Sequence, residues 1–421
     1  MLKRRGVVTV VAVKLFRAVR PAQQYVKDVA SYPYDVIDSR EARRLTRENP
    51  RSFLRIVKSE VDFPDDNVSC EEVYERAREN LQEFLGKGIL FQDKRECFYI
   101  YRQKMGDRVQ CGVVACVNVA DYESGLIKKH ELTRKDKEID RARHIDRVNA
   151  QTGPLYLTYR ALKTIDRMVE DVVAGNPEYD FTADDGITHS VWVVDDENII
   201  ERIKRDLGQL DSLYIADGHH RAAAAAAVAR MRREENRCHS GKEEYNYVMA
   251  VIFPHDHLHV MDYNRVVRDL GGLDEEEFIR RIGERFALSG DFSCRSSQRR
   301  GEFGMYLNGR WYRLQTGEED IPTGDPVGAL DVSILQDNLL GPILGIDDPR
   351  TNDRIHFVGG IRGMDELERL VDSGDYVVAF SLYPTSMDQL MDIADMGKLM
   401  PPKSTWFEPK LRSGIFVHLL D

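Results

Sequence analysis

Apolar positions along the chain switch between two periods. Runs rich in β-branched and aromatic residues predict strands over 97–102, 109–119, 190–194, 213–216 and 247–253. Between them, apolar residues recur at helical spacing. Ser39 opens a helix that Asn49-Pro50 stops, and the short run 53–57 predicts a strand. Ser69-Cys70-Glu71-Glu72 is a capping box that starts a helix toward Leu85, with Gly86 and Gly88 as its stop. Thr133-Arg134-Lys135-Asp136 predicts another capped start, with Ile139, Ala142, Ile145 and Val148 as the apolar stripe and a charged, solvated face opposite that includes Arg141. Helices are also expected over 198–207 and from the alanine run 222–227 onward. Beyond about residue 270 the pattern is mixed. Asn308-Gly309 marks a hairpin over 305–314, and further strands are expected at 355–358, 376–382 and 415–419. The fold class that follows is α/β, mixed with α+β: an α/β domain over 1–270 and an α+β domain over 271–421.

Composition narrows the function classes. A chain of 421 residues holds two or three domains, and its net charge of −11 repels phosphate backbones, so nucleic-acid binding is not expected. Six cysteines without a C-x-x-C pair indicate neither a disulfide framework nor a zinc ribbon and fit a reducing cytoplasm. Lys3-Arg4-Arg5 before the apolar run 6–13 imitates a signal peptide. Lys14 and Arg17 interrupt that run and no small-residue cleavage site follows, so a first strand is expected there, and no transmembrane segment elsewhere. The oligomeric state stays open, a homodimer included.

The most informative segment is Asp217-Gly218-His219-His220-Arg221, set between an apolar strand and the alanine run. A glycine turn into a strong helix former points unpaired amides and the positive end of the helix dipole at one place, which suits an anion. His219, His220 and Arg221 would add donors, Arg221 through a bidentate fork. The plainer alternative makes Asp217 an N-cap with surface histidines beside it. A second constellation, Lys129-His130-Glu131 with Thr133-Arg134, lacks the second histidine of H-E-x-x-H, which rejects a zincin. It offers a carboxylate and an imidazole beside cations, as a general base needs. His255, Asp256, His257 and His259 read as a polar turn or, less simply, a metal site; none is assigned. Lys403, Ser404, Thr405 and Lys410, in a Pro-rich stretch, could close over a phosphate or form a rigid packing segment. P-loop, G-x-G-x-x-G and G-x-S-x-G signatures are absent.

Three stretches, Ser31-Tyr32-Pro33-Tyr34-Asp35-Val36, Lys129-His130-Glu131 with Thr133-Arg134, and Asp217-Gly218-His219-His220-Arg221, together with 400–410, resemble the domain of unknown function 1015 family. The likeness runs from about Phe16 onward. The D-G-H-H-R loop is also similar to the nucleotide-binding loop of the ParB/sulfiredoxin superfamily, which includes free-serine kinases. That resemblance implies a ParB/sulfiredoxin-like core with large insertions, with Gly218, His219, His220 and Arg221 gripping nucleotide phosphates. Arg134, Lys403, Ser404 and Thr405 would assist, Glu131 or Asp217 would act as base beside His130, and Tyr34 and Asp35 would line the substrate pocket. The activity it implies is an ATP- and Mg²⁺-dependent kinase for a small hydroxylated metabolite, free L-serine first. A ParB-like nucleotide-binding regulator contacting DNA is the alternative. A sulfiredoxin-like repair enzyme ranks last, because the cysteine nearest to Asp217 in the sequence is Cys238.

Overall fold

The alternation of apolar runs builds a nine-stranded sheet in the computed structural model, which describes residues 11–64, 69–290 and 292–421. Its strands are β1 (Val13–Lys14), β2 (Phe98–Met105), β3 (Arg108–Asn118), β4 (Ile127–Lys128), β5 (Leu155–Tyr159), β6 (Tyr179–Thr182), β7 (Thr188–Val194), β8 (Leu213–Asp217) and β9 (Tyr247–Pro254). They lie in the order β4-β8-β5-β9-β3-β2-β7-β6, with β1 on β3. β8 runs parallel to β4 and β9 parallel to β5; the other described pairs are antiparallel. Nearly every residue of β3 and β9 is buried, so these strands read as continuous apolar runs and not as alternating ones.

The helices of this unit are α1 (Ser39–Glu48), α2 (Cys70–Gly86), α3 (Lys135–Val148), α4 (Lys163–Val173), α5 (Glu197–Leu207) and α6 (His219–Glu235). α1 to α5 each bury one stripe. Ile203 and Leu207 of α5 are fully buried, and burial of such a side chain contributes about 1.5–3 kcal/mol. The alanine run of α6 serves two neighbours. Ala222, Ala225, Ala226 and Ala229 join the sheet core, while Ala224 and Val228 cluster with Ile145 of α3 and with Leu420. Small side chains on both sides allow a close approach on both.

The chain divides into two compact units. The first holds the described residues up to Lys129, Thr133–Leu258 and Pro409–Asp421; the second holds His130–Leu132 and His259–Glu408. After the brief excursion of His130–Leu132 the chain enters the second unit at 258/259, where the pattern put a boundary near residue 270. The C-terminal residues return to the first unit, where His418–Leu419 pairs with Ala150–Gln151. In the second unit, β11 (Tyr263–Val267), β12 (Ala287–Gly290), β13 (Glu302–Leu307), β14 (Arg310–Gln315), β15 (Ile355–Gly359) and β16 (Val378–Ser381) form an antiparallel sheet in the order β12-β14-β13-β16-β11-β15. A separate pair joins β10 (His259–Met261) to β17 (Trp406–Glu408). Asn308 and Gly309 take φ of 48° and 75°, the left-handed pair that a two-residue hairpin requires.

Several local expectations are corrected. The run 53–57 is not a strand: Leu54–Val57 is one helical turn, and Phe53, Leu54, Ile56 and Val57 are buried together. A five-residue run with a single polar position, Arg55, carries no period by which to tell the two apart. The strand expected over 415–419 shrinks to His418–Leu419, and that over 376–382 to Val378–Ser381. The cap of α3 is Arg134, without a side-chain bond, and the Thr133 hydroxyl reaches Glu138 instead. Ile139 of the expected apolar stripe is exposed. Of the first strand, β1 is described; residues 1–10 lie outside the described residues.

Candidate functional site

β8 ends irregularly. Its register on β5 slips between Ile215 and Asp217, and the extra residue turns the strand end. The chain then passes through Gly218, at φ 96° and ψ 27°, directly into α6. An L side chain in a left-handed conformation costs roughly 1–2 kcal/mol, and a Cβ on Gly218 would stand 3.1 Å from Cζ and Nε of Arg221. Glycine is therefore required both by φ and by the guanidinium packed over it. A glycine N-cap supplies no side-chain cap, so the first-turn amides present the positive end of the helix dipole.

Asp217 is not the cap. Its Oδ1 accepts from the Gly218 amide at 2.7 Å and its Oδ2 from Lys410 Nζ at 2.9 Å. Burial would push this carboxyl up, but Lys410 and Arg221 hold it well below the usual carboxylate range. A carboxylate held ionised that firmly is a weak proton acceptor. Arg221 donates from Nη1 to the Pro154 carbonyl, and its Nη2 stops at 3.9 Å from Asp35 and 3.8 Å from Asp217. Its Nε is buried with no hydrogen-bond partner among the described residues. A buried donor without an acceptor is rare enough to demand an occupant, whether water or ligand.

Asp35 is delivered by a strapped segment. Ser31 exchanges both backbone bonds with Ser413, the Tyr32 hydroxyl donates to Asp185 at 3.1 Å, and the Arg412 guanidinium lies 4.0 Å over the Tyr32 ring. Tyr34 lies under Arg141, 4.3 Å from its guanidinium; burial, then Asp35, push its phenol up. His219 is buried, and His220 accepts the Arg134 amide on Nε2 at 3.0 Å, so that ring nitrogen serves the start of α3. The Arg134 side chain pairs with Asp136 at the surface.

Of the residues expected from the sequence, Tyr34, Asp35, Arg134, Asp217, Gly218, His219, His220 and Arg221 fall in the first unit, and Lys410 joins Asp217 there. His130, Glu131, Lys403, Ser404 and Thr405 belong to the second unit. There the His130 carbonyl accepts from the Met400 amide at 2.7 Å and the Ser404 hydroxyl donates to the Pro401 carbonyl at 2.6 Å. The Lys403 carbonyl accepts from Arg265, and the Lys403 ammonium stands 5.6 Å from the Tyr263 ring centre. His255 and His257 accept the amides of Ala161 and Cys111, at 3.0 and 3.4 Å, and so close a turn. The sequence reading missed Arg141: assigned to the solvated face of α3, it is largely buried over Tyr34. Its position four residues before Ile145, on the inward face, was the available signal.

The family profile described as "Protein of unknown function (DUF1015)" matches residues 13–333. The chain belongs to the DUF1015 family. No curated protein matches this DUF1015 chain. Solved structures similar to it include a free serine kinase in complex with AMP, 14% identical, TM-score 0.38, over 73% of this chain and 92% of that one. SbnI with a C-terminal truncation, from Staphylococcus aureus, is 10% identical, TM-score 0.39, over 73% and 87%. A conserved hypothetical protein from Pyrococcus furiosus is 13% identical, TM-score 0.36, over 73% and 95%.

Proposed function

We propose that this DUF1015 chain is an ATP-dependent kinase that phosphorylates the hydroxyl of a small metabolite, with free L-serine, giving O-phospho-L-serine, as the first acceptor to test. One observation carries the reading: beside a helix start capped only by glycine, the buried Arg221 guanidinium keeps an Nε–H with no acceptor among the described residues. Phosphate oxygens answer both needs. Phosphoryl transfer asks for positioning and charge stabilisation more than for covalent chemistry from the protein, and amides at a helix start with an adjacent guanidinium supply them.

In this reading Gly218, His219, His220 and Arg221 cradle the phosphates. Asp217 anchors Lys410 beside them and is not the base, because its ion pair removes the basicity that role requires. Asp35, 3.9 Å from Arg221, would line the substrate pocket, and Mg²⁺ carried by the nucleotide would offset charge on the phosphate oxygens. The acceptor hydroxyl oxygen attacks the γ-phosphorus and releases its proton to water while the bond to the β–γ bridging oxygen breaks and ADP leaves.

The test is ³¹P NMR of the purified full chain with Mg²⁺-ATP and a pool of amino acids and small alcohols. A new phosphomonoester signal that requires serine and vanishes in Arg221→Ala is the expected result. ATP left intact with every acceptor overturns the proposal.

A further inference from the structure

A second set of unmatched groups lies in a cleft beside the turn, within the first unit. It opens to solvent, and its walls include Tyr34, Arg141, His144, Gly153 and Arg221. Arg141 spends Nε and Nη2 on one oxygen of Asp140, at 2.8 and 2.7 Å, and its Nη1 makes no hydrogen bond among the described residues. Stacking on Tyr34 fixes the plane of that guanidinium. His144 is buried, and its Nε2 donates to the Ile56 carbonyl at 2.9 Å. That bond sets the tautomer and leaves Nδ1 as an acceptor lone pair. Burial pushes the ring down to about 4, so it is neutral at neutral pH. No carboxylate stands among the described lining residues. The cleft thus offers guanidinium donors and one neutral acceptor. Arg221 borders both it and the turn, which sets the phosphate cradle and the cleft side by side.

Resting on the kinase reading above, we infer that this cleft holds the acceptor, and that the acceptor is a small hydroxylated carboxylic acid, an amino acid or a hydroxy acid. Arg141 takes its carboxylate, and the His144 lone pair receives its hydroxyl or amine. An uncharged polyol leaves the Arg141 Nη1 donor unmatched, and a site built to pair a group discriminates strongly against the analogue that lacks it.

The experiment compares matched ligands on the unaltered full-length protein: L-serine and D-glycerate, which carry the carboxylate, against serinol and glycerol, which do not. The expected kcat/KM for the carboxylates exceeds that for the uncharged pair by about 100-fold or more. Arg141→Gln raises the KM for serine or glycerate by roughly tenfold or more while ATP affinity stays unchanged, and Arg141→Lys recovers part of the loss. Equal use of serine and serinol, or an unchanged KM in Arg141→Gln, overturns the inference. The ligand comparison does not depend on any variant folding. If the unaltered protein neither binds nor turns over ATP, the kinase reading fails by itself. Calorimetry with serine and glycerate then decides the cleft: carboxylate binding that Arg141→Gln abolishes upholds it, and no binding overturns it.

Discussion

Two turns of the first unit leave strands that flank β5 on either side, and both are rich in His and Asp. After β9, His255-Asp256-His257 forms a single tight turn in which each imidazole accepts a backbone amide, from Ala161 and from Cys111. After β8, Asp217-Gly218-His219-His220-Arg221 opens a 17-residue helix, and a guanidinium N–H is left over. The residue types are nearly the same and the uses differ. What separates a structural turn from a candidate site is not its inventory of polar groups but how many are already satisfied by the chain. Even inside the second turn the split holds, since His220 serves the Arg134 amide while Arg221 keeps a donor in reserve.

The largest expected effect is at Gly218. Strain of about 1–3 kcal/mol together with displacement of Arg221 weakens nucleotide binding in Gly218→Val by on the order of 100-fold, at 1.4 kcal/mol per tenfold. Titration with a fluorescent nucleotide measures it, and wild-type affinity would erase the distinction between the two turns. Arg221→Ala follows, losing about 1.5–3 kcal/mol of charge-assisted bonding, or roughly 10- to 100-fold in nucleotide affinity by the same titration.

Lys410→Met sharpens the electrostatic side. Asp217 is held below its unfolded value near 3.9, so its contribution to stability is present above that pH and is lost as pH falls toward the folded value. Removing Lys410 raises the carboxyl, lowers stability at neutral pH by about 1–3 kcal/mol, and moves acid unfolding to higher pH. Urea unfolding across pH 2–7 reads the shift; identical pH profiles for variant and wild type would contradict the assignment of Lys410. The smallest effect is at the other turn. His255→Ala leaves the Ala161 amide without its acceptor, costs about 1 kcal/mol in urea unfolding, and leaves nucleotide affinity untouched. A loss of affinity there would make the structural turn part of the site.

Much of this architecture was legible in the chain. The capping box at Ser69, the hairpin at Asn308-Gly309 and the strand-turn-helix at Asp217-Gly218 appear where the pattern placed them. The misreading of 53–57 marks the limit of periodicity, since one polar residue, Arg55, in a buried run of five is too little to reveal a period. Arg141 was misplaced for a related reason: a charge on a helix reads as solvated unless something is known to lie over it, and Tyr34 lies under its guanidinium from over 100 residues away in the chain.

What the amino-acid sequence by itself determined is local. Whether a run pleats or coils, where a helix is capped, and that residue 218 must be glycine to turn a strand into a helix all depend on neighbours a few positions away. The tertiary structure alone decided which polar groups were spent. Lys410 closes on Asp217 across 193 residues, Pro154 takes one edge of Arg221, and Arg134 claims His220. A hydrogen-bond donor remains available for chemistry only if no distant acceptor reaches it, and distance in space is set by the packing of the whole unit, not by spacing along the chain.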